Sequence, residues 1–252
     1  MSEDLSDSIE FEVRGFDCGY GGSLRAFALA NFLQEAAGAN AARLGFGMGE
    51  LNSGGRTWML SRLDLRVDAL PAEGERVAVR TWPAGAKRLF AMRAIEMRGA
   101  EGRSLVRAVY AYLIVDVAAR RPLRPQSVFG SEFPGEGLAL PVADYSFDIP
   151  EANGAQLSFA QRVCRRHIDN NGHANNAHIV NWLVDAASPG AGPGPGALGS
   201  LRVEFSAEAL EGDELAATRG ALVKAEPGRA AAAVTELRRG EVKVARALVG
   251  LR

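Results

Sequence analysis

The three histidines of this chain, His167, His173 and His178, fall within twelve positions. Asp169 and Asn171 lie between the first two and alternate with His173, so in an extended segment these three side chains would point to one side. Residues of these types orient substrates and transfer protons, and such clusters are where this chemistry is first sought. A helix predicted to follow directly would direct free N–H groups and its positive dipole end at the same place. That arrangement would stabilise negative charge on a carbonyl oxygen, which favours acyl transfer or hydrolysis.

A purely structural interpretation of the same segment is a helix cap. Asp169, Asn170 or Asn171 could each cap the helix without any chemistry. A cap has no need of a histidine, so we favour a functional role for His173. His167, expected at a strand end, and His178, inside the helix, are interpreted as structural.

Metal binding and covalent catalysis are less well supported. His173 and His178 are five positions apart, which matches neither i+3 nor i+4 on a helix, and no HExxH or Cys/His ligand pattern occurs. Cys164 and Cys18 have no associated base pattern, and no GxSxG elbow is present. We therefore expect no metal and no cofactor.

Composition excludes several classes of protein. Twenty-nine basic and thirty acidic residues give a formal charge of −1, which argues against a general nucleic-acid binder. Two distant cysteines argue against a disulfide framework and favour a reducing compartment. The first residues lack the pattern of a signal peptide, and no apolar run approaches the roughly 20 residues of a membrane span. We expect a cytoplasmic protein without a membrane span.

The hydrophobic pattern predicts the same order of elements twice: a strand, one long helix, then several strands. The helices are predicted at 24–44 and 174–187. Strands are predicted at 9–14, 62–68, 75–82, 88–98 and 104–117, and again at 157–165, 200–206, 213–224, 230–238 and 241–250. Leu63 and Leu65 match Leu201 and Val203, 138 positions later. The pattern indicates an α+β protein that arose by internal duplication, with antiparallel sheets each wrapped around one long helix.

Glycine and proline divide the chain. We predict an N-terminal unit at 1–129, a linker at 130–155 with three prolines, and a C-terminal unit at 156–252. The Gly/Pro stretch at 188–196 is predicted to be a surface loop.

Several segments, taken in order, give the chain a family resemblance. The run Asp169-x-Asn171-x-His173-x-Asn175-Asn176, with a tryptophan at 182, is similar to the signature of acyl-acyl carrier protein (acyl-ACP) thioesterases. Further similar segments lie at 31–37, 44–47, 58–62, 81–90 and 116–122. The resemblance extends over nearly the whole chain and implies a double hotdog fold, in which each of two sheets wraps around one helix.

The resemblance also implies the working residues. By position in the family pattern these are Asp169, Asn171, His173 and Glu208, the last expected on a strand that follows the second helix. Some members carry a cysteine directly after that glutamate, but here the residue is Ala209, so a cysteine nucleophile at that site is excluded. With the helices aligned, the first half has Gly19, Gly21 and Ser23 at the equivalent positions, and its implied role is to hold the acyl chain.

The implied reaction is release of a fatty acid from acyl carrier protein, an acidic partner. Basic residues that could dock it are Lys87, Arg88, Arg120, Arg121, Arg124, Arg165 and Arg166. Two alternatives stay open: an acyl-CoA thioesterase of the hotdog type, and a non-catalytic acyl-binding protein. The sequence does not define chain length or oligomeric state, and it is compatible with a homodimer.

Overall fold

The structure is a computed structural model that describes residues 5–130, 133–187, 198–223 and 232–251. Its two long helices are α1, Ala26–Arg43, and α4, Asn176–Ala187. On α1 the buried residues Leu29, Leu33 and Ala36 recur at helical spacing, which gives the helix an apolar stripe. The short helices α2, Met48–Ser53, and α3, Pro125–Phe129, lie between strands of the first half.

Eleven strands form one antiparallel sheet. The first half contributes β1 Asp7–Glu12, β2 Arg56–Val67, β3 Arg76–Lys87, β4 Phe90–Arg98, β5 Ser104–Asp116 and β6 Arg121–Leu123. The second half contributes β7 Gln156–Arg162, β8 Leu198–Phe205, β9 Glu214–Val223, β10 Ala232–Arg239 and β11 Val242–Leu251. The strand order is β1-β3-β4-β5-β2-β8-β11-β10-β9-β7, with β6 paired to β5. Helix α1 contacts β1, β3 and β4, helix α4 contacts β9, β10 and β11, and the two helices contact each other.

The prediction that each half has a sheet of its own is therefore wrong, because the strands of both halves lie in one sheet. The halves share one sheet because β2 pairs antiparallel with β8. In this pairing Leu63 lies opposite Val203 and Leu65 opposite Leu201. Strand β2 thus pairs with β8, its own equivalent in the second half, as two copies do across a two-fold symmetric interface. The centre is the pair Asp64 and Arg202, which are themselves 138 positions apart, and this geometry supports the predicted duplication.

The described part of the predicted linker, 133–155, packs on the sheet. Val142 is buried against Met92, Val109 and Ala111. Residues that alternate with Val109 and Ala111 along β5, among them Tyr110, belong instead to the main core with the helices. The linker therefore covers the face of the first-half sheet opposite α1.

Most predicted elements are present, with shifted ends. Helix α1 begins at Ala26 rather than 24, and α4 at Asn176 rather than 174. Strand β2 begins at Arg56, six residues before the predicted strand. The prediction missed its first part because apolar and polar residues do not alternate strictly there. The loop predicted at 188–196 lies outside the described residues. None of the helices in the described residues is long and apolar enough to cross a membrane.

Candidate active site

The segment from Asp169 to His173 is a tight turn, so the prediction of an extended segment is wrong. The Asp169 N–H donates to the His173 carbonyl at 2.9 Å, and Ile168 and Ala174 form a bridge that closes the turn. Gly172 has φ of 83°, a conformation that favours glycine, and this residue reverses the chain. The Asn171 N–H donates to Asp169 Oδ1 at 2.8 Å. The turn holds the three side chains close together by curvature rather than by alternation.

The helix cap is Asn175, not one of the three candidates named from the sequence. Asn175 Oδ1 accepts the Ala177 N–H at 2.8 Å, which is the usual N-cap bond. Asp169 and Asn171 are thereby left free of that structural task. Gln34 Nε2 of α1 also donates to Asn175 Oδ1 at 3.5 Å, so the cap lies against the first half.

With the second helix predicted from residue 174, the free backbone N–H groups for an oxyanion would be those of His173 and Ala174. The Ala174 N–H donates to the Ala209 carbonyl at 2.8 Å and is therefore occupied, so this half of the expectation is wrong. The His173 N–H has no hydrogen-bond partner among the residues described here. The bond between Ala174 and Ala209 also ties the turn to the loop that carries Glu208.

His173 and Glu208 are in contact. His173 Nε2 lies 3.3 Å from Glu208 Oε2, and the two side chains are 36% and 56% exposed, so water reaches both. Glu208 lies three residues beyond the end of β8, in the loop before β9 and not on a strand as expected. Arg239 Nη1 donates to the Glu208 carbonyl at 3.4 Å and supports this loop. The structure thus pairs His173 with Glu208 and places Asp169 and Asn171 in the same turn as His173.

A cavity of about 210 Å³ opens beside the turn. Its wall residues in the second half are Asp169, Asn171 and Asn176. The other wall residues belong to the first half or the linker: Gln34, Ala37, Gly38, Ala41, Phe46, Met48, Trp58, Leu60, Pro83, Ala91, Met92, Arg93, Tyr112 and Phe133. His173 and Glu208 are not among the wall residues, but His173 belongs to the same turn as Asp169 and Asn171, which are.

Two polar residues inside the cavity were missed by sequence reasoning. Arg93 on β4 is only 6% exposed, and burial lowers the pKa of its guanidinium to about 10, so it remains charged at neutral pH. Tyr112 on β5 also faces the cavity, and burial raises the pKa of its hydroxyl to about 12. A lone arginine in an alternating strand is usually a solvated residue, so only the fold could reveal Arg93.

Comparison with known proteins identifies the family. The model of the acyl-ACP thioesterase N-terminal domain matches residues 6–128. A palmitoyl-acyl carrier protein thioesterase from Gossypium hirsutum is 27% identical over 201 residues, which are 74% of this chain and 48% of that protein. Residues 6–128 belong to the acyl-ACP thioesterase family, and the similarity to the Gossypium hirsutum relative extends over 74% of the chain. The chain spans about half the length of the curated relatives it matches.

Two solved structures show the same fold as this family member. The 12:0-ACP thioesterase from Umbellularia californica matches with a TM-score of 0.83 at 20% identity, over 98% of this chain and 94% of that one. An acyl-ACP thioesterase from Bacteroides thetaiotaomicron matches with a TM-score of 0.77 at 22% identity, over 99% of both chains. At these identities the likeness establishes the fold.

The other two histidines of this thioesterase family member form an aromatic cluster behind the turn. The His178 ring lies 4.5 Å from the Phe27 ring, 4.7 Å from the His167 ring and 5.8 Å from the Trp182 ring. His167 lies in a short 3-10 helix, 165–167, and not at a strand end, and its Nδ1 accepts the Cys164 N–H at 3.0 Å. These contacts agree with the structural role expected of both residues.

We predict that His178 makes the fold sensitive to acid. Burial, with a smaller contribution from His167, lowers the pKa of His178 to about 4, whereas in an unfolded chain it is about 6.5. Protonation therefore favours the unfolded state, so this contribution to stability is complete above pH 6.5 and is lost as pH falls towards 4. The Tm of wild type should fall more between pH 6.5 and 4.5 than that of His178→Phe. Equal losses in both proteins would contradict the assignment.

Proposed function

We propose that the protein hydrolyses the thioester of an acyl-acyl carrier protein, releases a free fatty acid and so ends chain elongation. Family membership supports the reaction class. The observation that carries the proposal is the contact between His173 Nε2 and Glu208 Oε2 at 3.3 Å, on a turn whose Asp169 and Asn171 line a largely apolar cavity. An acid–base pair beside an apolar cavity fits a substrate with a hydrocarbon tail and a reactive head.

In this mechanism a water molecule is the nucleophile. Glu208 and His173 form the proton-handling pair: one removes a proton from water as its oxygen bonds to the thioester carbon, and His173 returns a proton to the departing sulfur. Water access to both side chains supports direct hydrolysis. A cysteine nucleophile beside Glu208 is excluded, because that position is the buried Ala209.

The turn would stabilise the tetrahedral intermediate. The free His173 N–H and the Asn171 side chain, which reaches the cavity wall, are the donors placed for the carbonyl oxygen. A donor of this kind is typically worth about 3 kcal/mol. Asp169 would act as a positioning residue, because its carboxylate accepts the Asn171 N–H and fixes the turn.

The two halves would have different tasks in a double hotdog, where each half of the sheet wraps its own helix. The N-terminal unit would hold the acyl chain, since it lines most of the cavity. The C-terminal unit would carry Asp169, Asn171, His173 and Glu208. The equivalent turn of the first half keeps the same backbone bond, from the Gly19 N–H to the Ser23 carbonyl at 2.9 Å, but has no acid or imidazole.

The nearest alternative keeps the chemistry and changes the carrier to coenzyme A. We favour acyl carrier protein because exposed basic residues lie next to the turn. The Arg165 side chain is 87% exposed and bonds Glu211, while the neighbouring exposed Arg166 has no carboxylate partner among the described residues. Such residues could receive an acidic carrier.

The carrier can be tested directly. We expect a higher kcat/KM for octanoyl-ACP than for octanoyl-CoA, and we expect Arg166→Glu to raise KM for the ACP substrate about two- to fivefold at low salt, the range of an exposed charge pair. Arg76→Glu on β3 reverses an equally exposed charge and serves as the control. Equal rates with both carriers would favour the coenzyme A alternative, and release of no acid from either would favour an inert acyl-binding protein.

A further inference from the structure

Arg93 is a buried cation without a counter-charge. Its Nη1 donates to Asn40 Oδ1 at 2.6 Å and to Thr81 Oγ1 at 3.2 Å, and both acceptors are neutral. No carboxylate pairs with it, and its Nε and Nη2 groups have no hydrogen-bond partner, among the residues that the structure describes. Burying an ion in this way is costly unless something else satisfies it.

The two acceptors are themselves held in place. Asn40 is completely buried and its Nδ2 donates to the Leu5 carbonyl at 3.1 Å. The Thr81 hydroxyl is also completely buried and donates to the Ala94 carbonyl at 2.9 Å. The Arg93 side chain is therefore fixed at the cavity wall, and its remaining donors are fixed with it.

The Tyr112 hydroxyl is a second donor in the same cavity. It has no hydrogen-bond partner within the described part of the chain, and it lines the same cavity as Arg93 from the neighbouring strand. A saturated hydrocarbon chain in this cavity would remove water from both groups and give them no acceptor, which is unfavourable.

The size and direction of the cavity indicate where an acceptor would lie. A cavity of roughly 150 Å³ in another protein holds the six carbons of benzene, which gives about 25 Å³ per carbon, so 210 Å³ would hold about eight carbons. Asn40, the partner of Arg93, lies six residues beyond Gln34 along α1, or about 9 Å at 1.5 Å per residue. An extended chain spans about 1.2 Å per bond, so this depth corresponds to roughly seven bonds.

We propose that Arg93 and Tyr112 form a polar subsite that binds an oxygen acceptor at the far end of an acyl chain of about eight carbons. This inference rests on the proposed function, which concerns the thioester of the substrate. It adds the chemical class of the far end of the acyl chain. A terminal hydroxyl or a terminal carboxylate would supply the acceptor. A guanidinium is well suited to either, since its fixed N–H groups can hold one or two oxygens.

Binding of free acids tests the subsite independently of catalysis. Calorimetry would compare octanoate, 8-hydroxyoctanoate and octanedioate with wild type, Arg93→Met and Tyr112→Phe. We expect wild type to bind at least one oxygenated acid about tenfold more tightly than octanoate, as for a hydrogen bond to a charged group. Arg93→Met should abolish this preference and Tyr112→Phe should reduce it, whereas Arg98→Met, an exposed arginine on the same strand, should retain it.

The outcomes separate the two proposals. A preference for octanedioate alone assigns the subsite to a carboxylate, and a preference for both oxygenated acids assigns it to any oxygen acceptor. Tighter binding of octanoate by wild type, or a preference that persists in both Arg93→Met and Tyr112→Phe, would overturn the subsite. Failure to hydrolyse any acyl-ACP, with the binding preference intact, would instead overturn the proposed function alone.

Discussion

His173→Ala and Glu208→Gln are each expected to lower kcat for acyl-ACP hydrolysis by about 10²–10⁴-fold, the usual contribution of a general acid or base. Either change removes one of the two proton-carrying groups that meet at 3.3 Å. Because neither side chain lines the cavity, the loss should appear in kcat while KM changes little. The measurement is the rate of thiol release from octanoyl-ACP under saturating and limiting substrate.

A matched control lies on the same loop. Glu211→Gln removes a carboxylate whose one partner in the described ranges is the exposed Arg165, and it should keep nearly wild-type kcat. The double variant of His173 and Glu208 should lose no more than about the larger single loss, since residues that act as a unit are not additive. Near-wild-type rates in both single variants would remove the mechanism.

The sequence could predict the site's composition but not its shape. Residue types and family pattern identified Asp169, Asn171, His173 and Glu208, which the structure brings together. The turn itself depends on Gly172 at positive φ, and alternation of side chains gives no sign of that conformation. The use of the Ala174 N–H by Ala209 is a contact between distant segments, so no local pattern contains it.

The cavity could not be predicted for the same reason. Arg93 and Tyr112 lie on adjacent strands, and Asn40 of α1 meets Arg93 only once the helix lies across the sheet. Periodicity correctly predicted that α1 has an apolar stripe. It does not show which residues of that stripe pack against the sheet and which line the cavity.

The turns before the two long helices have the same shape, as a duplication predicts. Both turns have the same backbone bonds: the Gly22 N–H donates to the Gly19 carbonyl at 3.1 Å, and the Gly172 N–H to the Asp169 carbonyl at 3.0 Å. The turn is thus a structural device that leads into each helix, and its side chains are free to vary. In the second half those positions carry an acid, an amide and an imidazole.

Asp64 is the position where we expect a single substitution to destabilise the fold most. It is completely buried at the centre of the β2–β8 pairing, and its Oδ2 accepts the Ser146 N–H at 2.8 Å. The same oxygen pairs with Arg66 Nη2 at 3.2 Å and Arg202 Nε at 3.3 Å, although burial outweighs these partners and raises the pKa of the carboxyl. Asp64 thus joins both halves of the sheet and the linker.

Asp64→Ala should lower the free energy of unfolding by about 3–5 kcal/mol, because it removes the buried carboxylate that the buried Arg66 and the half-buried Arg202 share. Asp68→Ala is the matched control: its carboxylate, paired with Arg107 at 3.1 Å, is 38% exposed, so its loss should cost less than about 1 kcal/mol. Urea unfolding at pH 7 measures both, provided the m-value is unchanged. If Asp64→Ala costs no more than the control, the β2–β8 backbone pairing and apolar packing hold the halves together, and the ion cluster sets only the register of β2 on β8.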